Sequence, residues 1–282
     1  MDIPIFRLPN PASRPPRAKN FIAYLQVVKD DLCLFEVCEA LLKQGVIHFA
    51  FFQPSHYWSG EIVPDAHKEE ILAIIRRLSA GGANCYFERR DVAPFIRPKR
   101  IDTETGFRNS CIARLRKLKF NHILIVDGDE LWFPGSFAKV LRLVNLGARA
   151  ISAGMIPVVG IPPYPVEGAL DRATVYVGPG VTLINCRQPR IVHVSIIKEP
   201  LLYHFTGVRP TMEENILKHR RSGHYDDPAY DYEGWLKNRL PNLKPGDKDI
   251  HFYRNYQIWP GLRDWFPGEK ELLPASVFSA TK

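Results

Sequence analysis

The chain has 282 residues, 45% of them hydrophobic and 24% charged, which is enough apolar material for a substantial core and excludes wholesale disorder. Its longest apolar runs are strand-sized, short of the roughly 18–20 residues that cross a bilayer. Lys and Arg outnumber Asp and Glu by 38 to 30, and this +8 favours an anionic partner (nucleotide, nucleic acid or acidic membrane) without choosing among them. Residues 1–20 form a Pro/Arg-rich leader (Pro4, Pro9, Pro11, Pro15, Pro16) with no apolar stretch of the kind a secretory signal needs. The five cysteines (Cys33, Cys38, Cys85, Cys111, Cys186) are scattered and lack C-x-x-C spacing. They predict neither a disulfide framework nor a zinc knuckle, and a cytoplasmic setting is the default expectation.

After the leader, residues 21–28 are a continuous apolar run of strand length. Residues 32–44 carry apolar side chains at helical spacing, with an Asp before them and Gly45 where a C-cap is wanted. Residues 46–52 read as a second buried strand, 53–65 as a loop, and 66–79 as an amphipathic helix closed by Gly81 and Gly82. A short strand at 83–87 and a basic loop follow. Thr105 is placed to N-cap a helix over 106–119, and 122–126 is a fourth strand that empties into Asp127-Gly128-Asp129-Glu130. Strands alternating with helices predict an α/β fold with a Rossmann-like, mostly parallel central sheet flanked by helices.

The second half changes character. One helix (136–146) precedes short strands at 150–161, 173–177, 181–186, 191–196 and 201–205, separated by Gly/Pro turns, which predicts a mixed or antiparallel C-terminal half. A helix over 211–222 opens with a capping box, Thr211 with Glu214. The expected organisation is a leader (1–20), a main domain (21–222) and an aromatic, Pro-rich extension (223–282) packing on that domain.

In such sheets ligands bind outside the carboxyl ends of the strands, and the acidic tetrapeptide falls at such an end. Hard divalent cations take oxygen ligands, Mg²⁺ commonly one or two carboxylates plus substrate phosphates. Taken alone, a D-x-D is more often a solvated acidic turn; its place after four β/α units is what favours a metal or phosphate site. His204 lies inside an apolar run, where a core histidine is the commoner outcome. Beside a carboxylate it would complete a site suited to Mn²⁺.

The ordered set of Val28-Lys29-Asp30-Asp31, Gly106-Phe107-Arg108-Asn109, the segment from His122 to Trp132, and Leu202 to Arg209 followed by Glu214 and Lys218 resembles the family-two-like branch of the GT-A nucleotide-sugar glycosyltransferases. The resemblance spans roughly residues 21–222. It implies a GT-A-like fold, a nucleotide-sugar donor (a UDP-sugar first) and a divalent metal, Mn²⁺ or Mg²⁺, held by Asp127, Asp129 and His204. It also implies that Asp30, Arg108, Asn109 and Asp127 lie near the nucleotide. Lys198 and Arg209 are cations available to the leaving diphosphate. Glu130, Glu167, Asp171 and Glu199 are the carboxylates from which a general base would come, with Asp129, Glu130 and Glu199 the catalytic candidates. Where many relatives carry S-x-D-G-T after strand two, this chain has residues 53–60, QPSHYWSG, which leaves the nucleotide's identity open.

Basic clusters at 14–19, 89–100, 114–119 and 218–221 would suit a polyanionic acceptor, with the C-terminal aromatics available for stacking. The acceptor expected first is a hydroxymethyl pyrimidine in DNA, as for phage-encoded enzymes, reached by base flipping. A surface polysaccharide or lipid-linked glycan, with peripheral membrane contact, is the competing acceptor. Readings from other classes are a nucleotidyltransferase, disfavoured because Lys29-Asp30-Asp31 stands where a Gly-rich loop is wanted, and a non-catalytic nucleic-acid-binding protein, which would leave the acidic turn unexplained.

Overall fold

The computed structural model describes residues 20–29, 33–160, 163–167, 171–205, 208–209, 211–222, 232–247, 261–266, 268–270 and 273. Its first half is a parallel block of β1 (Phe21–Gln26), β2 (His48–Pro54), β3 (Asn84–Arg90) and β4 (His122–Val126), in the order β3-β2-β1-β4. Helices α1 (Leu34–Lys43), α2 (Asp65–Ala80) and α3 (Arg100–Lys117) make the crossovers.

β1 shows why this block reads as unbroken apolar runs. Phe21, Ala23 and Leu25 enter one apolar cluster, with residues of α1 and α2, while Ile22 and Tyr24 enter the other, with residues of α3. A strand covered on both faces has no polar side to alternate with. Each fully buried side chain of this size contributes about 1.5–3 kcal/mol.

Helix ends are set by left-handed residues. At the end of α2, Gly82 (φ +94) donates to Ser79 O and Ala83 to Leu78 O, satisfying two carbonyls the helix leaves over. The end of α3 uses the same pair of bonds, Lys119 to Arg116 O and Phe120 to Leu115 O, with Lys119 at φ +69 in the position that favours glycine.

The second half is mixed. β8 (Asp171–Val177) runs antiparallel to β4 and to β6 (Ala150–Val159). β11 (Ser195–His204) is parallel to β6, and β5 (Glu130–Trp132) is antiparallel to β11 at the sheet edge. β7 (Tyr164–Pro165) pairs with β6, and β9 (Leu183–Ile184) with β10 (Gln188–Pro189) makes a separate small hairpin. α4 (Ser136–Asn145) precedes β6; α5 (Met212–Arg220) and α6 (Tyr232–Asn238) follow β11. Trp235, Leu236, Leu240, Leu243 and Leu262 form a third apolar cluster with Val159 and Val166, through which described residues of the C-terminal segment pack on the sheet.

Three local expectations are corrected. α3 begins at Arg100, and Thr105 lies inside it, its hydroxyl donating to Ile101 O and accepting from Cys186 N, so it caps nothing. The runs at 191–196 and 201–205 are not two strands: Ser195–His204 is one, passing Pro200 by register shifts on either side, the accommodation open to a residue that cannot donate to a ladder. The 181–186 strand shrinks to Leu183–Ile184. The Thr211 cap is present, its hydroxyl accepting from Glu214 N at 3.2 Å. All five cysteines are buried thiols.

Candidate active site

β1 is the point where the chain reverses its direction of strand addition, going outward to β2 and β3 and then returning to β4 on the other side. The crevice at such a switch point is the ligand position of open α/β sheets. A cavity of about 490 Å³ lies there, lined by Gln26 at the end of β1, by Tyr57 and Trp58 in the loop after β2, and by Asp127, Gly128 and Asp129 after β4. Seven Lys and Arg side chains and four carboxylates line it among the described residues, an excess of positive charge fitted to an anion.

The floor is a chain of alternating charges. Gln26 Nε2 donates to Glu104 Oε1 at 3.1 Å, and Arg108 donates to the same oxygen from Nε (3.2 Å) and Nη2 (3.0 Å). Arg108 Nη2 also reaches Asp127 Oδ1 at 3.0 Å, while Arg187 Nη1 holds Asp127 Oδ2 at 3.0 Å and pairs with Glu130. Arg187 is fixed further by the carbonyls of Ile125 and Thr174. On the other side Asp129 Oδ2 accepts from Arg209 Nη2 at 2.9 Å and Lys218 Nζ at 2.6 Å, and Asp129 Oδ1 faces His204 Nε2 at 3.8 Å.

Burial pushes the Asp127 carboxyl up, but Arg108 and Arg187 outweigh it and leave it below the ordinary range. Burial likewise opposes ionisation of Asp129, and Lys218 leads the cationic neighbours that hold it well below. Glu130 goes the other way. It is fully buried, and burial exceeds what Arg187 returns, so its carboxyl lies above the ordinary value. Burial, with Arg108 offsetting it in part, also pushes the Cys186 thiol well up, which makes it a poor nucleophile.

The structure therefore brings Asp127, Asp129, His204, Arg108 and Arg209 together at one cavity. Glu130 sits beneath it, paired rather than open to it. Asn109 is elsewhere: its amide clamps Leu183, donating to O at 2.9 Å and accepting from N at 2.8 Å, and so anchors the β9–β10 hairpin to α3. Lys198 and Glu199 are exposed at the register shift before Pro200 and do not line the cavity, nor does exposed Glu167. Asp171 begins β8; Asp30 lies outside the described residues. Sequence reasoning missed Arg187, Glu104 and Gln26. Arg187 had no signal, because Asn185 and Cys186, at φ +45 and +65, turn the chain just before it. Glu104 stands four residues before Arg108, an ion-pair spacing that could have found it.

A metal's fit can be judged from the donors. Asp127, Asp129 and His204 line the same cavity, and the 3.8 Å between Asp129 Oδ1 and His204 Nε2 is a span that two bonds of roughly 2.1 Å to one ion can bridge. His204 Nδ1 is buried without a hydrogen-bond partner among the described residues. By residue type these are donors that Mn²⁺ or Mg²⁺ takes, but the described residues hold no group of three or more His, Cys, Asp or Glu side chains gathered as a metal cage. Asp127 presents both oxygens to guanidiniums, and Asp129 Oδ2 is held by Arg209 and Lys218.

No protein-family model matches the chain, and no curated protein matches it. Among solved structures it is similar to a Bacillus anthracis protein named as a glucose-1-phosphate thymidylyltransferase and crystallised with a sucrose. The TM-score is 0.34 and the identity 10%, over 59% of this chain and 71% of that one. A likeness of that size bears on neither substrate nor reaction. No described helix is long and apolar enough to cross a membrane.

Proposed function

We propose that the chain is a glycosyltransferase that moves a sugar from a nucleotide-sugar to an acceptor hydroxyl. The observation that carries this reading is the delivery of Asp127 and Asp129 by β4 to the floor of a cation-rich cavity at the sheet's switch point, with His204 opposite. A nucleoside diphosphate leaving group gathers negative charge as the glycosidic bond breaks, and fixed cations placed beside it stabilise that charge. Arg209, itself held by the carbonyls of Phe205 and Val208, is such a cation. Arg108 and Arg187 fix the orientation of Asp127. Asp127, Asp129 and His204 would hold a divalent metal, which supplies Lewis-acid neutralisation of the phosphates. The GT-A resemblance of the sequence agrees with this reading.

For the acceptor, the basic stretch before α3 supports a polyanion. Arg97 and Lys99 are exposed there, and Arg100 reaches the Arg220 carbonyl at 2.7 Å, beside the cavity-lining Arg221. A hydroxymethyl pyrimidine in DNA is the acceptor we put first.

The test is transfer from a panel of nucleotide-sugars, UDP-sugars first, with Mn²⁺ or EDTA, with and without hydroxymethylated DNA. A sugar-sized mass gain on the DNA, lost in EDTA and restored by Mn²⁺, is expected. Donor hydrolysis without transfer would move the acceptor to a glycan. Full turnover in EDTA would remove the metal, and no reaction with any donor would sink the enzyme.

A further inference from the structure

Helix α5 turns one face to the site. Glu214, Lys218 and Arg221, spaced i, i+4 and i+7, line the cavity, and each pairs with a different part of the parallel half. Glu214 meets Lys29 after β1 at 3.6 Å, Lys218 meets Asp129 at 2.6 Å, and Arg221 meets Glu61 in the loop after β2 at 2.5 Å while lying 4.0 Å over the Tyr57 ring. The helix is held over the site by charge.

The two cations on Asp129 are not equivalent. Arg209 has 3% of its side chain exposed and donates to Phe205 O and Val208 O as well as to Asp129. Lys218 has 37% of its side chain exposed, and Asp129 is its only hydrogen-bond partner among the described residues. An ammonium carries three donors on a flexible stem, so it can turn from one anion to another at little cost. If Lys218 leaves, Arg209 still neutralises the buried carboxylate.

We propose that Lys218 is an exchangeable phosphate ligand, sitting on Asp129 when the cavity is empty and on the diphosphate of the donor when it is filled. This rests on the nucleotide-sugar reading and adds to it a residue and a motion: α5 is the element through which the site registers an anionic ligand. Handing Lys218 to the phosphate leaves Asp129 Oδ2 with Arg209 as its remaining donor, so ligand binding and the loss of one of that oxygen's two cations are one event.

The test is calorimetric titration of the whole chain with inorganic pyrophosphate and with uridine diphosphate, each with and without Mn²⁺. Lys218→Met is expected to weaken pyrophosphate binding by about tenfold or more, the worth of one charge-assisted hydrogen bond. Lys218→Arg, which keeps the charge, should stay within about threefold of the wild type by the same measure. A folded Lys218→Met that binds both probes like the wild type overturns the exchange and leaves the nucleotide-sugar reading standing. So does an Arg variant as weak as the Met one, because charge would then not be what matters. Wild-type protein that binds neither probe overturns both. Should Lys218→Met fail to fold, Lys218→Gln takes its place; if that too is unfolded, Lys218 is a structural clamp and the proposal falls.

Discussion

The two aspartates of the floor stand two residues apart and are held in opposite ways. Asp127 is gripped by Arg108 and Arg187, whose side chains are 4% and 12% exposed and which are themselves tied to Glu104, Glu130 and backbone carbonyls. Asp129 is gripped from the C-terminal segment, by one buried arginine and one half-exposed lysine. The first side is scaffold, in which no charge can leave without stranding another. The second side has a charge to spare, and that asymmetry is what lets one aspartate stay fixed while the other changes partners.

The comparison breaks most visibly on the scaffold side. Arg187→Met strands Glu130 in a fully buried place, and removing one partner of a buried pair costs about 3–5 kcal/mol. Lys218→Met, at a half-exposed pair whose carboxylate keeps Arg209, should cost under about 1 kcal/mol. Urea unfolding of the two variants checks this, and equal losses would erase the distinction.

The pH dependence of stability sharpens it. Asp129 has its folded value depressed, so its contribution is complete above the unfolded value of roughly 3.9 and is lost as pH falls below that toward the folded value. Asp129→Asn should therefore flatten the acid limb of a melting-temperature profile below about pH 4. Glu130 has its folded value raised. Its contribution is complete below the unfolded value of about 4.3 and is lost as pH rises through the folded value, so Glu130→Gln should leave the acid limb in place. A parallel change in the two profiles would contradict the assignment.

The smallest effect lies away from the site. Lys119 occupies a left-handed position at the end of α3 that Gly82 fills at the end of α2, and Lys119→Gly should raise stability by about 0.5–1 kcal/mol. A loss would mean that the lysine side chain contributes more than its backbone costs.

What the sequence made legible follows from where the signals are local. The strand 122–126 and its acidic exit were readable to the residue, because a buried parallel strand is a plain apolar run and β4 ends where the carboxylates begin. The start of α3 was not, since its first turns pack few apolar residues and Pro98 reads as a loop. β11 was split in two because Pro200 has no N–H, and only the pairing with β6 shows the strand going on. β5 is three residues long and exists by virtue of β11. Of the site, His204 and Arg209 were readable only through an ordered motif. Arg187 was not readable at all: its place depends on two left-handed residues in a hairpin 57 residues from Glu130.

The ion pairs of α5 have a consequence for a chain made from its N-terminus. Lys218 reaches Asp129 across 89 residues and Arg221 reaches Glu61 across 160. The four parallel strands and the acidic exit of β4 are therefore synthesised well before any residue that roofs them. Through that interval the growing polypeptide presents a charged, half-finished crevice, and translation must run to the end of α5 before the cavity has a wall on that side.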